Sequence, residues 1–174
     1  MLNLRPPKDL LPWLESRDSL TQQLQQYCHE QVSVVVVSEK NGMPDAHERR
    51  LLNLPFRSGV FVRQIRLMCG SEPVVYARTV VPRLSLTGKE RRLRYVGTRS
   101  LGALLFAHRR MRPGPRELTY VEAGSRLHSA AIAGISQEAP IIWGRRSIIY
   151  LDDKPLLVSE YFLPKFVALI ASLR

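Results

Sequence analysis

Residues 141–163, IIWGRRSIIYLDDKPLLVSEYFL, decide the fold. Two runs rich in β-branched and aromatic residues, 141–151 and 156–163, flank Asp152-Asp153-Lys154-Pro155. Strand formers on both sides of a cluster of turn formers predict an antiparallel hairpin. Upstream the pattern repeats. Residues 58–69 read as a strand, Gly70-Ser71-Glu72-Pro73 turns the chain, and 74–81 read as its partner. Residues 31–39, with Val32 and the run Val34, Val35, Val36 and Val37, add another strand before the loop Asn41-Gly42-Met43-Pro44. Residues 118–122 supply a further short one. Five or six strands in adjacent hairpins give a largely antiparallel sheet.

Helices are expected around that sheet. Leu10, Leu11, Trp13 and Leu14 begin one. Ser19 with Gln22 three places on is a capping-box pattern, so a second helix starts at Leu20, with Leu20, Leu24, Tyr27 and Cys28 on one side. Residues 100–108 form a short helix, and Pro113-Gly114-Pro115 breaks the chain after it. Residues 125–135 are helical, with Leu127, Ala131 and Ile135 four apart. Residues 165–174 are a short amphipathic helix or a frayed tail. No internal repeat or low-complexity linker interrupts the 174 residues, so the fold class is α+β in a single domain over 1–174.

Composition agrees with an ordinary globular chain: 45% hydrophobic and 24% charged residues. No stretch approaches the ~18 apolar residues of a membrane span. The N-terminus has no signal-peptide core, so a cytoplasmic protein is expected. Cys28 and Cys69 are too few for a disulfide framework, and two reduced thiols are expected.

The net charge of +11 favours anionic partners. The excess is concentrated in residues 83–116, which hold ten basic side chains and a single acid, Glu90. A solvated basic face accounts for this segment. A nucleic-acid patch is the other reading, and the segment lacks the exposed aromatics that stack on bases. No nucleic-acid partner is expected.

Side chains alternate faces along a strand, which isolates two charges in apolar rows. Arg63 shares its face with Phe61, Ile65 and Leu67, and Glu160 shares its face with Leu156, Val158 and Phe162. An unpaired buried ion costs several kcal/mol, so each needs a partner. Either the two pair with each other or with backbone, or they line a pocket in which Arg63 forks onto a ligand carboxylate and Glu160 binds a hydroxyl. Arg78 shares a row with Val74, Tyr76 and Val80. Arg145 and Arg146 point to opposite faces, so at most one enters the same interior. The helix starts at Leu20 and Leu101, after Ser19 and Ser100, leave free N–H groups that serve either routine capping or an anion. His29, His47, His108 and His128 have no metal-ligand spacing. Walker, dinucleotide and GxSxG motifs are missing, so no cofactor is expected.

The segments VRQIRL, ARTVVP, SLGALLF and WGRRSIIYLDDKPLLVSEYFLP, in this order and spacing, resemble the chorismate pyruvate-lyases, which release 4-hydroxybenzoate and pyruvate at the head of ubiquinone synthesis. The resemblance runs from about Trp13 to Pro164. It implies an antiparallel sheet of about six strands, with flanking helices and flap-like segments closing over an internal site. It implies that Arg63 holds the ring carboxylate, that Glu160 contacts the ring hydroxyl, and that the backbone N–H groups of Leu20 and Leu101 help bind the carboxylate. It gives Arg78 a role in ligand entry or at the other carboxylate. Residues 109–142 match the pattern poorly. The implied chemistry is a cofactor-free elimination that aromatises the ring, in a monomeric enzyme without membrane insertion. Sensor domains of some transcription regulators resemble the same fold and bind small acids without catalysis. Such a sensor would follow a DNA-binding domain, whereas here the resemblance starts within about fifteen residues of Met1.

Overall fold

The computed structural model describes residues 4–173. In chain order the elements are α1 (Leu11–Glu15), α2 (Leu20–Tyr27), β1 (Val32–Gly42), α3 (Ala46–Leu51), β2 (Val60–Cys69), β3 (Glu72–Pro82), α4 (Leu101–Phe106), β4 (Met111–Glu122), α5 (Arg126–Ile132), β5 (Ile141–Leu151), β6 (Lys154–Phe162) and α6 (Pro164–Ala171), with 3-10 turns at Lys8–Leu10, Arg83–Ser85 and Gly88–Tyr95. The strands form one sheet in the order β1-β2-β3-β6-β5-β4, every pairing antiparallel. Two halves, β1-β2-β3 and β6-β5-β4, meet where β3 pairs with β6. The hairpins turn at Gly70 and Asp152, whose φ values of 59° and 55° suit a glycine and an Asx residue. The expected α+β architecture is therefore the observed one.

The ladder slips register at three places, one of them between Leu67 and Met68 on β2, and the other two re-aim side chains toward one face. In β1 the register slips between Val36 and Ser38, so Val36 opposes Ile65 while Glu39 opposes Arg63. In β4 it slips between Pro113 and Arg116, which oppose Ile149 and Ser147. Each inserts one residue, and such a bulge reverses the face on which the following residues fall. The second bulge corrects the expected chain break: Pro113-Gly114-Pro115 lies within a continuous edge strand, where proline is tolerated because no further strand needs its missing N–H.

Three other expectations change. Ser19 caps α2 by position, but its side chain makes no cap hydrogen bond; the reciprocal capping box is at Asp45 and Glu48, on the unanticipated helix α3. Tyr27 is 41% exposed and sits at the margin of the core, in an edge-type ring contact with Trp13. Cys28 and Cys69 are paired as a disulfide, with Cα atoms 5.7 Å apart, because the end of α2 meets the end of β2; the expectation of reduced thiols is thus corrected.

One face of the sheet carries two apolar clusters. Trp13, Leu14, Leu24, Phe162 and Phe166 lie in the cluster under α1, α2 and α6. Phe61, Val81, Leu93, Leu105 and Leu151 lie in the cluster under α4. The opposite face is covered by Leu52, Val60 and Leu157, and by Tyr76, Ala131 and Tyr161. No helix among the described residues is long and apolar enough to cross a membrane.

Candidate active site

Between the two clusters on the first face, the inward side chains become polar. Register places Arg63 opposite Thr79, Thr79 opposite Val158, and Val158 opposite Ser147, which opposes Arg116. One pair along, Ala77, Glu160 and Arg145 lie in line. These residues line a cavity of about 110 Å³. Leu20 and Leu101 close it from above with Ser19, Ser100 and Gly102, while Ile65, Leu105, Ile149 and Val158 supply an apolar wall. The starts of α2 and α4 are adjacent, since a β-carbon on Gly102 would lie 3.6 Å from both Ser19 Oγ and Ser100 Oγ. By position, the first N–H groups of each helix have no intrahelical acceptor.

Arg63 and Glu160 stand two strands apart, about 10 Å across the sheet, and two residues out of line along it. They do not pair with each other. Arg63, 2% exposed, donates through Nε to Glu39 Oε1 at 3.0 Å and through Nη2 to the Gly97 carbonyl at 2.6 Å. Burial lowers its pKa, and the hydrogen bond and charge of Glu39 only partly offset that. The guanidinium therefore gains from a further anion. Glu160 accepts from Arg145 Nε at 2.6 Å, and Arg145 is anchored through Nη1 to the carbonyls of Trp13 and Ser16 at 2.7 and 2.6 Å. Arg145, itself 2% exposed, thus fixes the Glu160 carboxylate.

Four of the five anticipated residues, Leu20, Arg63, Leu101 and Glu160, line this one cavity. Arg78 does not. Opposite Gln64 on β2, it faces the other side of the sheet. There it borders a separate hollow of about 540 Å³ and donates twice to Glu48. Burial would lower the Arg78 pKa, but Glu48 raises it above the ordinary value. Sequence parity left open which row of β3 faces Arg63. Arg116 and Arg145 were not anticipated as site residues. That at most one of Arg145 and Arg146 can enter the interior was the available signal for Arg145, whereas the β4 bulge hides Arg116 from any parity argument.

The basic segment serves several ends. Arg94 lies over Phe61 and bonds Asn41, Arg112 lies over Tyr150, and Arg116 enters the cavity. Glu90, His108 and Asp152 bring potential metal ligands within 4.8 Å of one another. Cations already meet these carboxylates: Lys154 Nζ lies 2.6 Å from Glu90, and Arg110 Nη1 lies 3.2 Å from Asp152. The cluster braces the β5–β6 turn against residues 88–95.

A family model described as chorismate lyase matches residues 3–169. The chain is 37% identical over 160 residues to the probable chorismate pyruvate-lyase of Psychromonas ingrahamii, covering 90% of this chain and 83% of that protein. It is also 37% identical over 173 residues to the protein so named from Azoarcus sp., covering 95% and 91%. Among solved structures, PhnF of Mycobacterium smegmatis superposes with a TM-score of 0.64 at 16% identity, over 87% of this chain and 66% of that one. The ligand-binding domain of a putative GntR-family regulator from Bordetella bronchiseptica gives 0.55 at 17% identity, over 77% and 83%. At such identities the structural likeness concerns the fold.

Proposed function

This chain belongs to the chorismate lyase family, and we propose that its cavity converts chorismate to 4-hydroxybenzoate and pyruvate without a cofactor, as a cytoplasmic monomer folded in one domain over residues 1–174. The observation that carries the reading is that Arg63 and Glu160, two strands apart and each in its own ion pair, line one apolar-walled cavity beneath the adjacent starts of α2 and α4.

Arg63 anchors the ring carboxylate, aided by the N–H groups of Leu20 and Leu101. Glu160, held by Arg145, receives the ring hydroxyl. The ring carbon that bears this hydroxyl also bears a hydrogen, and its neighbour carries the enolpyruvyl ether. Passing that hydrogen to the enol methylene through a six-membered arrangement breaks the carbon–oxygen bond, forms the keto group of pyruvate and leaves the ring aromatic. Atoms and electrons balance without an external acid or oxidant. The protein contributes a reactive conformer and fixed charges in a site with little water. Arg78 belongs to the other face, and its pairing with Glu48 suits it to bracing the sheet there.

The test is direct. Purified protein mixed with chorismate is expected to release pyruvate, followed by a coupled lactate dehydrogenase assay, at a rate that survives dialysis against a chelator. Tight binding of 4-hydroxybenzoate without pyruvate release would favour the sensor reading. Strict dependence on added metal would overturn the cofactor-free mechanism.

A further inference from the structure

The bulge in β4 delivers a charge whose purpose the ring-binding residues leave unexplained. Without the extra residue, Pro115 would oppose Ser147; with it, Arg116 does. The bulge depends on Gly114, because a β-carbon there would sit 2.7 Å from Tyr150 Cε2 and 2.9 Å from the Ile148 carbonyl. The side chain of Arg116 is then aimed by two neutral oxygens. Nε donates to Ser147 Oγ at 2.8 Å, and Nη1 donates to the Ser16 carbonyl. Among the described residues no carboxylate forms an ion pair with it. Burial lowers its pKa, and the neighbouring charges of Arg145 and Arg17 lower it further against the pull of Glu160. A partly buried, pre-oriented guanidinium beside like charges is stabilised by a bound anion.

Its position selects the anion. Arg116 lies on β4, at the Glu160 end of the cavity and far across the sheet from Arg63. In chorismate the enolpyruvyl ether is on the carbon next to the one carrying the hydroxyl. A ring held by Arg63 and Glu160 therefore directs its second carboxylate toward the Arg116 end. We propose that Arg116 binds the side-chain carboxylate of the substrate and so orients the ether for elimination. This rests on the lyase reading above, and adds a residue that distinguishes substrate from aromatic product: 4-hydroxybenzoate has nothing for Arg116 to hold.

The experiment compares wild type with Arg116→Gln and Arg116→Lys. The ligands are 4-hydroxybenzoate and its stable dicarboxylate analogue 3-(carboxymethoxy)-4-hydroxybenzoate, titrated calorimetrically alongside chorismate kinetics. Losing one charged hydrogen-bonding partner corresponds to about a ten- to hundredfold change. Arg116→Gln is expected to lose that much affinity for the dicarboxylate and that much kcat/KM for chorismate, with 4-hydroxybenzoate affinity unchanged. Arg116→Lys, which keeps the charge but not the fork, is expected to fall between. Equal losses for both ligands would make Arg116 a structural support of the cavity and overturn the proposal. Unchanged dicarboxylate affinity would also overturn it. Wild-type protein that releases no pyruvate would instead fail the lyase reading, a separate result.

Discussion

Glu160 is held by Arg145 across the β5–β6 ladder, Nε to Oε2 at 2.6 Å, while Arg63 answers to Glu39 on the far edge strand at 3.0 Å. The two candidate site charges thus belong to separate ion pairs. Residues without shared partners contribute nearly additively, within about 0.5 kcal/mol, whereas contacting ones couple by roughly 0.5–3 kcal/mol. Denaturant unfolding should show additivity for Arg63→Met with Glu160→Gln, and coupling for Arg145→Met with Glu160→Gln. Breaking a buried pair from one side costs about 3–5 kcal/mol. The 17% exposure of the Glu160 side chain puts Arg145→Met at the lower end. Strong coupling between positions 63 and 160 would contradict the observed pairing.

Gly144 precedes Arg145 and opposes Tyr161. A β-carbon there would meet the Glu160 carbonyl oxygen and lie 2.6 Å from Tyr161 Cδ1. Gly144→Ala must push β6 away at the residue that carries the site carboxylate. Such overpacking costs typically about 1–3 kcal/mol. Lower stability and a reduced kcat for pyruvate release are the expected results. A variant with wild-type kcat and Tm would show that the sheet accommodates the methyl group.

The reach of sequence reasoning follows from parity. Arg63 and Glu160 were legible because β2 and β6 alternate regularly through them, so a charge in an apolar row stands out. Glu39 and Arg116 lie beyond bulges, which no local pattern announces, and parity counted from the strand start places them on the wrong face. The row containing Arg78 was legible, but which side of the sheet it faces depends on a register that only the assembled sheet supplies. Helix α3 was missed because its capping box opens no apolar-periodic run. The disulfide joins positions 41 residues apart in sequence, a proximity created by packing α2 on the sheet.

Glu90 should make part of the stability dependent on pH. It is 4% exposed. Burial pushes its pKa up, but hydrogen bonds from Lys154, its own backbone and His108 outweigh that and hold it below the ordinary value. A folded pKa below the unfolded one gives stability that is fully present above the usual carboxylate range, near pH ~4.3, and lost as pH falls through the folded value. Chemical denaturation should therefore show a larger gap between wild type and Glu90→Gln at pH 7 than at pH 3. A gap independent of pH would mean that the cluster contributes by shape alone.

The roles of Arg63 and Glu160 separate with two ligands that differ by one hydroxyl. Benzoate and 4-hydroxybenzoate share the carboxylate that the proposed mechanism gives to Arg63, so Arg63→Ala should weaken both alike. Only 4-hydroxybenzoate carries the hydroxyl that the proposed mechanism gives to Glu160, so Glu160→Gln should weaken it more than benzoate. Loss of a hydrogen bond to a charged group corresponds to about 1.5–3 kcal/mol, or roughly ten- to a hundredfold in affinity. The cavity moderates the stability cost, because water can enter beside the remaining charge once a ligand-facing group is removed. Arg145 keeps its bonds to the Trp13 and Ser16 carbonyls in Glu160→Gln, so the fold should survive and the calorimetric comparison remain interpretable. Melting curves provide the control. Equal losses for both ligands in Glu160→Gln, accompanied by a collapsed Tm, would show that this carboxylate supports the sheet and does not read the hydroxyl.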